Sequence, residues 1–96
     1  MKVSSINKNV LITGASGNLG LKISELFVNS DVKTLIMVDK NKNSEHKIKD
    51  FLSPHQELIF IETDLLDIKL SIKKVLSVMR DLGSLDILIN NAAFVG

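Results

Sequence analysis

The sequence predicts an α/β fold: a parallel sheet of four strands in the order 3-2-1-4, with flanking helices. Three observations predict it. Four short apolar runs alternate with amphipathic stretches along the chain. The runs are almost continuously apolar, as strands buried on both faces are. A glycine-rich turn joins the first run directly to the first amphipathic stretch. Strands that alternate with helices form parallel sheets. Right-handed crossovers then give half of a doubly wound sheet, whose ligands bind beyond the carboxyl ends of the strands near the switch point.

Each element has its own signal. Asn9 to Thr13 reads as a short buried strand, rich in β-formers. Leu19, Ile23, Leu26 and Phe27 recur at helical spacing and predict one buried face. Asn29-Ser30-Asp31 ends that helix with turn formers. Thr34 to Asp39 is the second strand. A short helix from Glu45 to Leu52 follows from Ile48, Phe51 and Leu52, and Pro54 stops it. Leu58 to Ile61 is the third strand, ending at Thr63-Asp64. Ile72, Val75, Leu76, Met79 and Leu82 form a second amphipathic stripe, predicted to be core. Gly83 stands where a helix C-cap belongs. Asp86 to Asn90 is the fourth strand.

Bulk properties narrow the function classes. Ninety-six residues make at most one small domain. A net charge of +1 argues against a nucleic-acid surface. The absence of cysteine excludes disulfides, thiol chemistry and cysteine-based metal sites. The first eight residues lack the apolar run, of about seven or more, that a secretory signal needs. No stretch approaches the roughly 18 apolar residues of a membrane span. A cytoplasmic location, without nucleic-acid or membrane partners, is the expectation.

The chemistry is concentrated at the carboxyl ends of the strands. In Thr13-Gly14-Ala15-Ser16-Gly17-Asn18-Leu19-Gly20, three glycines fall three apart where a strand turns into a helix. Glycines there permit a tight turn, close approach of a pyrophosphate and close strand–helix packing. The helix N-terminus adds free N–H groups and a positive dipole end. This combination points to a dinucleotide. Asp39 ends the second strand, nineteen residues after Gly20. A carboxylate there accepts both ribose hydroxyls of an adenosine and repels a 2′-phosphate. Lys40 and Lys42 beside it read as solvated loop charges, although they could hold such a phosphate. Asp64-Leu65 has two readings: a contact to adenine, or a turn or N-cap aspartate. Asn90-Asn91-Ala92-Ala93 closes the fourth strand with small residues, against which a ribose can lie, and with amides that can tie strand ends together.

Other chemistries fall away. Gly20-Leu21-Lys22-Ile23 lacks the Gly-Lys-Ser/Thr of a P-loop. His46 and His55 have no ligand pattern around them and read as surface residues. No metal site is expected.

The glycine turn from Thr13 to Gly20, with Asp39, Asp64-Leu65 and Asn90-Asn91-Ala92-Ala93, resembles the N-terminal half of the short-chain dehydrogenase/reductase family from Asn9 onward. The resemblance implies a truncated Rossmann fold, with residues 1–96 forming a partial NAD(P)-binding domain. It implies that the turn of Gly14, Ala15, Ser16, Gly17, Asn18, Leu19 and Gly20 binds the cofactor at its pyrophosphate and that Asp39 selects NAD over NADP. Asp64 and Leu65 would contact adenine, while Asn91, Ala92 and Ala93 would line the nicotinamide-side ribose. The implied activity is hydride transfer between a nicotinamide and a carbonyl or alcohol carbon.

Two departures from the family pattern stand out. Classical members usually carry glycine where this chain has Asn18, and the spacing of Gly14, Gly17 and Gly20 is more typical of the branch that modifies nucleotide sugars. Asn18 tolerates left-handed backbone, and the fourth-strand segment is classical. The last residues, Asn90 to Gly96, resemble bacterial members found with surface-polysaccharide or flagellin-modification genes. The second departure is larger. Family catalysis uses a Tyr-x-x-x-Lys pair with a serine, and this chain contains no tyrosine. The catalytic residues are therefore expected to be missing, the substrate site to belong to a longer parent, and that parent to be a homo-oligomer. The alternatives are a fragment of a nucleotide-sugar epimerase or dehydratase, and a non-catalytic dinucleotide-binding module.

Overall fold

The computed structural model describes residues 7–42 and 44–92. The elements run β1 (Asn9–Thr13), α1 (Asn18–Asn29), β2 (Thr34–Asp39), α2 (Glu45–Lys49), β3 (Glu57–Glu62), α3 (Ile68–Leu82) and β4 (Ile87–Asn90). All strand pairs are parallel and the sheet order is β3-β2-β1-β4, as the sequence predicts.

Alternate residues of each strand feed two cores, because side chains change face at every step. Val10, Ile12, Leu35 and Met37 face α1 and α2, and pack with Phe27, Val28, Val32 and Ile48. Leu11, Ile36, Val38 and Ile61 face α3 and pack with Val75, Val78 and Leu82. Burial of each such side chain contributes about 1.5–3 kcal/mol.

Polar clamps set the ends of the sheet. The Asp86 carboxylate accepts from Asn9 N at 2.8 Å, and Asp86 N donates to the Asn9 carbonyl at 2.9 Å. Asp86 thus precedes the strand and pins it, so β4 begins one residue later than the sequence predicts. Gln56 is buried, and its Nε2 donates to the carbonyls of Val28 and Val32. It ties the end of α1 to the entrance of β3.

Two helical faces differ from the sequence reading. In α1 the buried residues are Gly20, Ser24, Phe27 and Val28, while Leu19 and Leu26 are 65% and 63% exposed. The buried face is turned by about one residue, roughly 100°, from the Leu19–Leu26 stripe. Small residues cause this. A Cβ on Gly20 would stand 2.3 Å from the Gly14 carbonyl oxygen, so only glycine lets the helix sit this close to the loop before it. In α3 the stripe from Ile72 to Leu82 is only partly core: Ile72 and Leu76 are 53% and 45% exposed. Lys74, Ser77 and Val78 lie over β3, so Ile72 and Leu76 fall on the opposite flank of the helix. Leu88 on β4 pairs with Leu11, shares its sheet face, and is 60% exposed. No element among the described residues covers that strip. The short α2 ends at Lys49 rather than Leu52, leaving Phe51 exposed. Gly83 adopts φ +83° and caps α3 as expected.

Candidate dinucleotide site

The carboxyl ends of β1, β2 and β4 bring most of the candidate residues together. Gly14 leaves β1 with φ +65°, a left-handed conformation that favours glycine. A Cβ there would also meet the Ala92 backbone at 3.0 Å. The loop after β4 closes on this turn. Asn91 Nδ2 donates to the Gly14 carbonyl at 3.1 Å. Thr13 Oγ1 accepts from the amides of Asn91 and Ala92 at 3.1 and 3.2 Å, and donates to Asn90 Oδ1 at 3.0 Å. The asparagine amides do tie the strand ends together, and Thr13 is the hub. Thr13 was legible as part of the glycine turn, but its bonding role was not. Ala93 lies outside the described residues.

Asp39 joins the same turn from β2. Its Oδ2 accepts from Ser16 N at 2.9 Å, and its Oδ1 accepts from Lys40 N at 2.7 Å. Asn41 N also donates to Oδ1, at 3.4 Å, and since a carboxylate has about four acceptor positions, capacity for roughly one further donor remains. Lys42 pairs with Glu45 at 3.7 Å, which places it on α2 rather than on Asp39. Lys40 is exposed.

Ser16 carries a second set of bonds. Its hydroxyl donates to the Asn41 carbonyl and accepts from the Ser44 hydroxyl, the latter at 2.9 Å. Ser44 is 5% exposed. Sequence reasoning missed Asn41 and Ser44, whose only signal was a serine before a short helix.

The Asp64 loop reaches the site through its neighbour, since Thr63 N donates to the Asp39 carbonyl at 2.9 Å. Asp64 Oδ1 accepts from Leu66 N, a turn-forming bond, while Asp67 caps α3 by accepting from Leu70 N. Leu65 packs its side chain against the α3-side core. Asp64 is exposed.

The three helix N-termini differ. Asp67 caps α3, and Glu45 lies in the first turn of α2. The first turn of α1 carries no side-chain cap and no acidic residue. Gly17, its N-cap, has φ −73°, which any residue adopts, and only the Gly14 oxygen, at 3.6 Å, lies near its Cβ direction. Neither backbone nor packing requires glycine at this position.

Residues 8–96 match the family model of the short chain dehydrogenases. The chain belongs to the short-chain dehydrogenase family. A relative from Anopheles gambiae, a dehydrogenase/reductase SDR family protein 7-like, is 35% identical over 89 residues, covering 88% of this chain and 28% of the relative. Among solved structures, an NAD+-bound xylitol dehydrogenase matches with a TM-score of 0.82 and 28% identity, over 98% of this chain and 36% of that one. ElxO with NADP bound matches with a TM-score of 0.75 and 26% identity, over 95% and 37%. The chain thus spans about a third of the length of these relatives. One solved relative holds NAD+ and the other NADP, so the family accommodates both. The family model, the Anopheles relative and the xylitol dehydrogenase carry dehydrogenase descriptions and do not favour the nucleotide-sugar branch, despite Asn18. Among the described residues no helix is long and apolar enough to cross a membrane.

Proposed function

We propose that this chain binds the adenosine and pyrophosphate end of NAD(H), within a short-chain dehydrogenase that acts on a carbonyl or alcohol carbon. The observation that carries the reading is the N-terminus of α1. It is the one helix start, among the described residues, with neither a capping side chain nor a carboxylate in its first turn. Its N–H groups and dipole suit an anion. Gly17 supports the same reading, because the space in front of it is open within the chain and suits a ligand.

Each element of the site then has a task. Gly14 turns the chain, Gly17 admits the pyrophosphate and Gly20 seats α1 against the loop. Asn18 and Leu19 begin the helix whose amides face that anion. Ala15 is fully buried beneath the turn, and its N–H donates to the Val38 carbonyl at 3.3 Å. Asp39 accepts from the ribose hydroxyls, and this favours NAD over NADP. Asp64 and Leu65 sit at the adenine end, with Asp64 exposed for a hydrogen bond. Asn91, Ala92 and Ala93 bound the nicotinamide side. The cofactor supplies the hydride chemistry when bound. These 96 residues contain no tyrosine to serve as a proton donor towards substrate.

The test is titration of the chain with NADH and NADPH, followed by fluorescence or calorimetry. NADH is expected to bind about tenfold tighter or more, a difference of about 1.4 kcal/mol. Asp39→Ala narrows or reverses the preference. Equal or tighter NADPH binding by the unmodified chain would overturn the NAD assignment. Failure of both cofactors to bind folded protein would overturn the site.

A further inference from the structure

Ser44 stands at the N-cap position of α2 but does not cap it, since its hydroxyl makes no bond to that helix's first turn. Serine is favoured at N-caps because its oxygen accepts a helix amide. Here the group is nearly fully buried and directed at Ser16 instead. The polarity of the resulting chain is determined by its far end. The Asn41 carbonyl can only accept, so Ser16 must donate to it. Ser16 has a single hydroxyl proton, so Ser44 must be the donor in the bond between the two hydroxyls. Linked hydroxyls of this kind polarise and hold one another.

The Ser16 hydroxyl is thereby left with acceptor capacity only. Its own amide already donates to Asp39 Oδ2. The two groups that bracket this corner, the Asp39 carboxylate and the Ser16 hydroxyl, both present lone pairs. We infer that the relay from Ser44 through Ser16 to Asn41 makes the ribose corner a wall of acceptors, and that Ser44 is a positioning residue for the choice of a 2′-hydroxyl over a 2′-phosphate. A ribose diol brings two donors to such a wall. A phosphate dianion brings only acceptors. Without Ser44, the Ser16 hydroxyl loses the donor that strengthens its bond to the Asn41 carbonyl, so its proton leaves that carbonyl for a phosphate oxygen at less cost. The inference rests on the proposed cofactor site and adds to Asp39 a second determinant, one that touches no ligand.

Titration of the chain and of its Ser44→Ala, Ser44→Thr and Ser16→Ala variants with NADH and NADPH tests it, with circular dichroism as a check on folding. Ser44→Ala is expected to weaken NADH by about fivefold, the scale of one neutral hydrogen bond, and to leave NADPH unchanged or tighter. Ser16→Ala, which removes the acceptor itself, moves the ratio the same way and serves if Ser44→Ala does not fold. Ser44→Thr keeps a hydroxyl and restores the original ratio. A purely structural role for Ser44 would weaken both cofactors in parallel. That result, or an unchanged ratio in either alanine variant, overturns the inference while leaving the cofactor site standing. Absence of binding of either nucleotide by the unmodified chain overturns both.

Discussion

The side chain of Asn91 donates to the carbonyl oxygen of Gly14 across 3.1 Å, joining the loop after the fourth strand to the turn after the first. The bond spans seventy-seven positions of sequence. It restrains the one glycine of the turn whose backbone is left-handed. Asn91→Ala is expected to cost about 1 kcal/mol of stability. Urea unfolding monitored by far-ultraviolet circular dichroism measures it. The same variant should weaken NADH binding, because Thr13 alone then ties the turn to the loop after β4. An unaltered midpoint and affinity would remove Asn91 from the account of the site.

The three glycines separate folding from binding. Gly14→Val puts a β-branched residue at φ +65° and against the Ala92 backbone. The left-handed backbone alone costs about 1–2 kcal/mol, and nucleotide binding is lost with the turn. Gly20→Ala places a methyl group 2.3 Å from a carbonyl oxygen and is expected to destabilise by at least about 1–3 kcal/mol. Gly17→Ser behaves differently. Serine is as good an N-cap as glycine or better by a few tenths of a kcal/mol, so the fold is retained or slightly firmer. The new side chain nevertheless fills the pyrophosphate space and competes for its amides. Thermal melts paired with NADH titration distinguish the three. A Gly17→Ser variant that binds NADH normally would show that the open space at this glycine is not the pyrophosphate site.

A polypeptide of these 96 residues should not turn over carbonyl compounds. Reduction of a ketone needs a proton donor beside the hydride donor, and the sequence contains no tyrosine to fill the family's role. His46 and His55 are both exposed, and His55 sits 3.9 Å from Asp31, in the loop between α1 and β2. NADH oxidation across a panel of aldehydes and ketones should match the protein-free rate. Turnover abolished by His46→Ala or His55→Ala would reveal a substitute acid.

The open side of β4 should make the chain associate. Among the described residues β4 pairs with β1 alone, Leu88 is 60% exposed, and Ile72 and Leu76 on α3 lie on the helix flank away from β3. Apolar edge strands pair with other chains. Light scattering behind size exclusion is expected to show concentration-dependent association, reduced by Leu88→Lys. A monomer at all concentrations, with strongly protected amides from Leu85 to Asn91, would contradict this and support a self-sufficient module.

The sheet order, all seven elements and the glycine turn were legible because each depends on local pattern: apolar runs, helical spacing, and glycines where a strand meets a helix. The faces of the helices were less so. Counting apolar residues placed Leu19 and Leu26 inside, whereas packing placed Gly20 and Ser24 there, since closeness to the preceding loop outweighed side-chain hydrophobicity. Ile72 and Leu76 show the complementary limit. Their pattern records that α3 has a wide apolar face, not which element covers it. The polar couplings were the least legible. Asp86 with Asn9, Gln56 with Val28 and Val32, and Ser44 with Ser16 join residues between 24 and 77 positions apart. Nothing in a run of neighbours marks such partners. For the candidate site, the residue types and their order were readable, while the direction of each hydroxyl proton was not.

The clamps at both ends of β4 have a consequence for how a larger sheet would assemble. At its start, Asp86 and Asn9 exchange two hydrogen bonds; at its finish, Thr13 and Gly14 hold Asn90, Asn91 and Ala92. A slip of one residue would break these bonds together and turn every side chain of the strand to the wrong face. Alignment of this four-residue strand is thus determined from its two ends, independently of anything on its free side. Whatever strand is laid along that side meets a template already in phase.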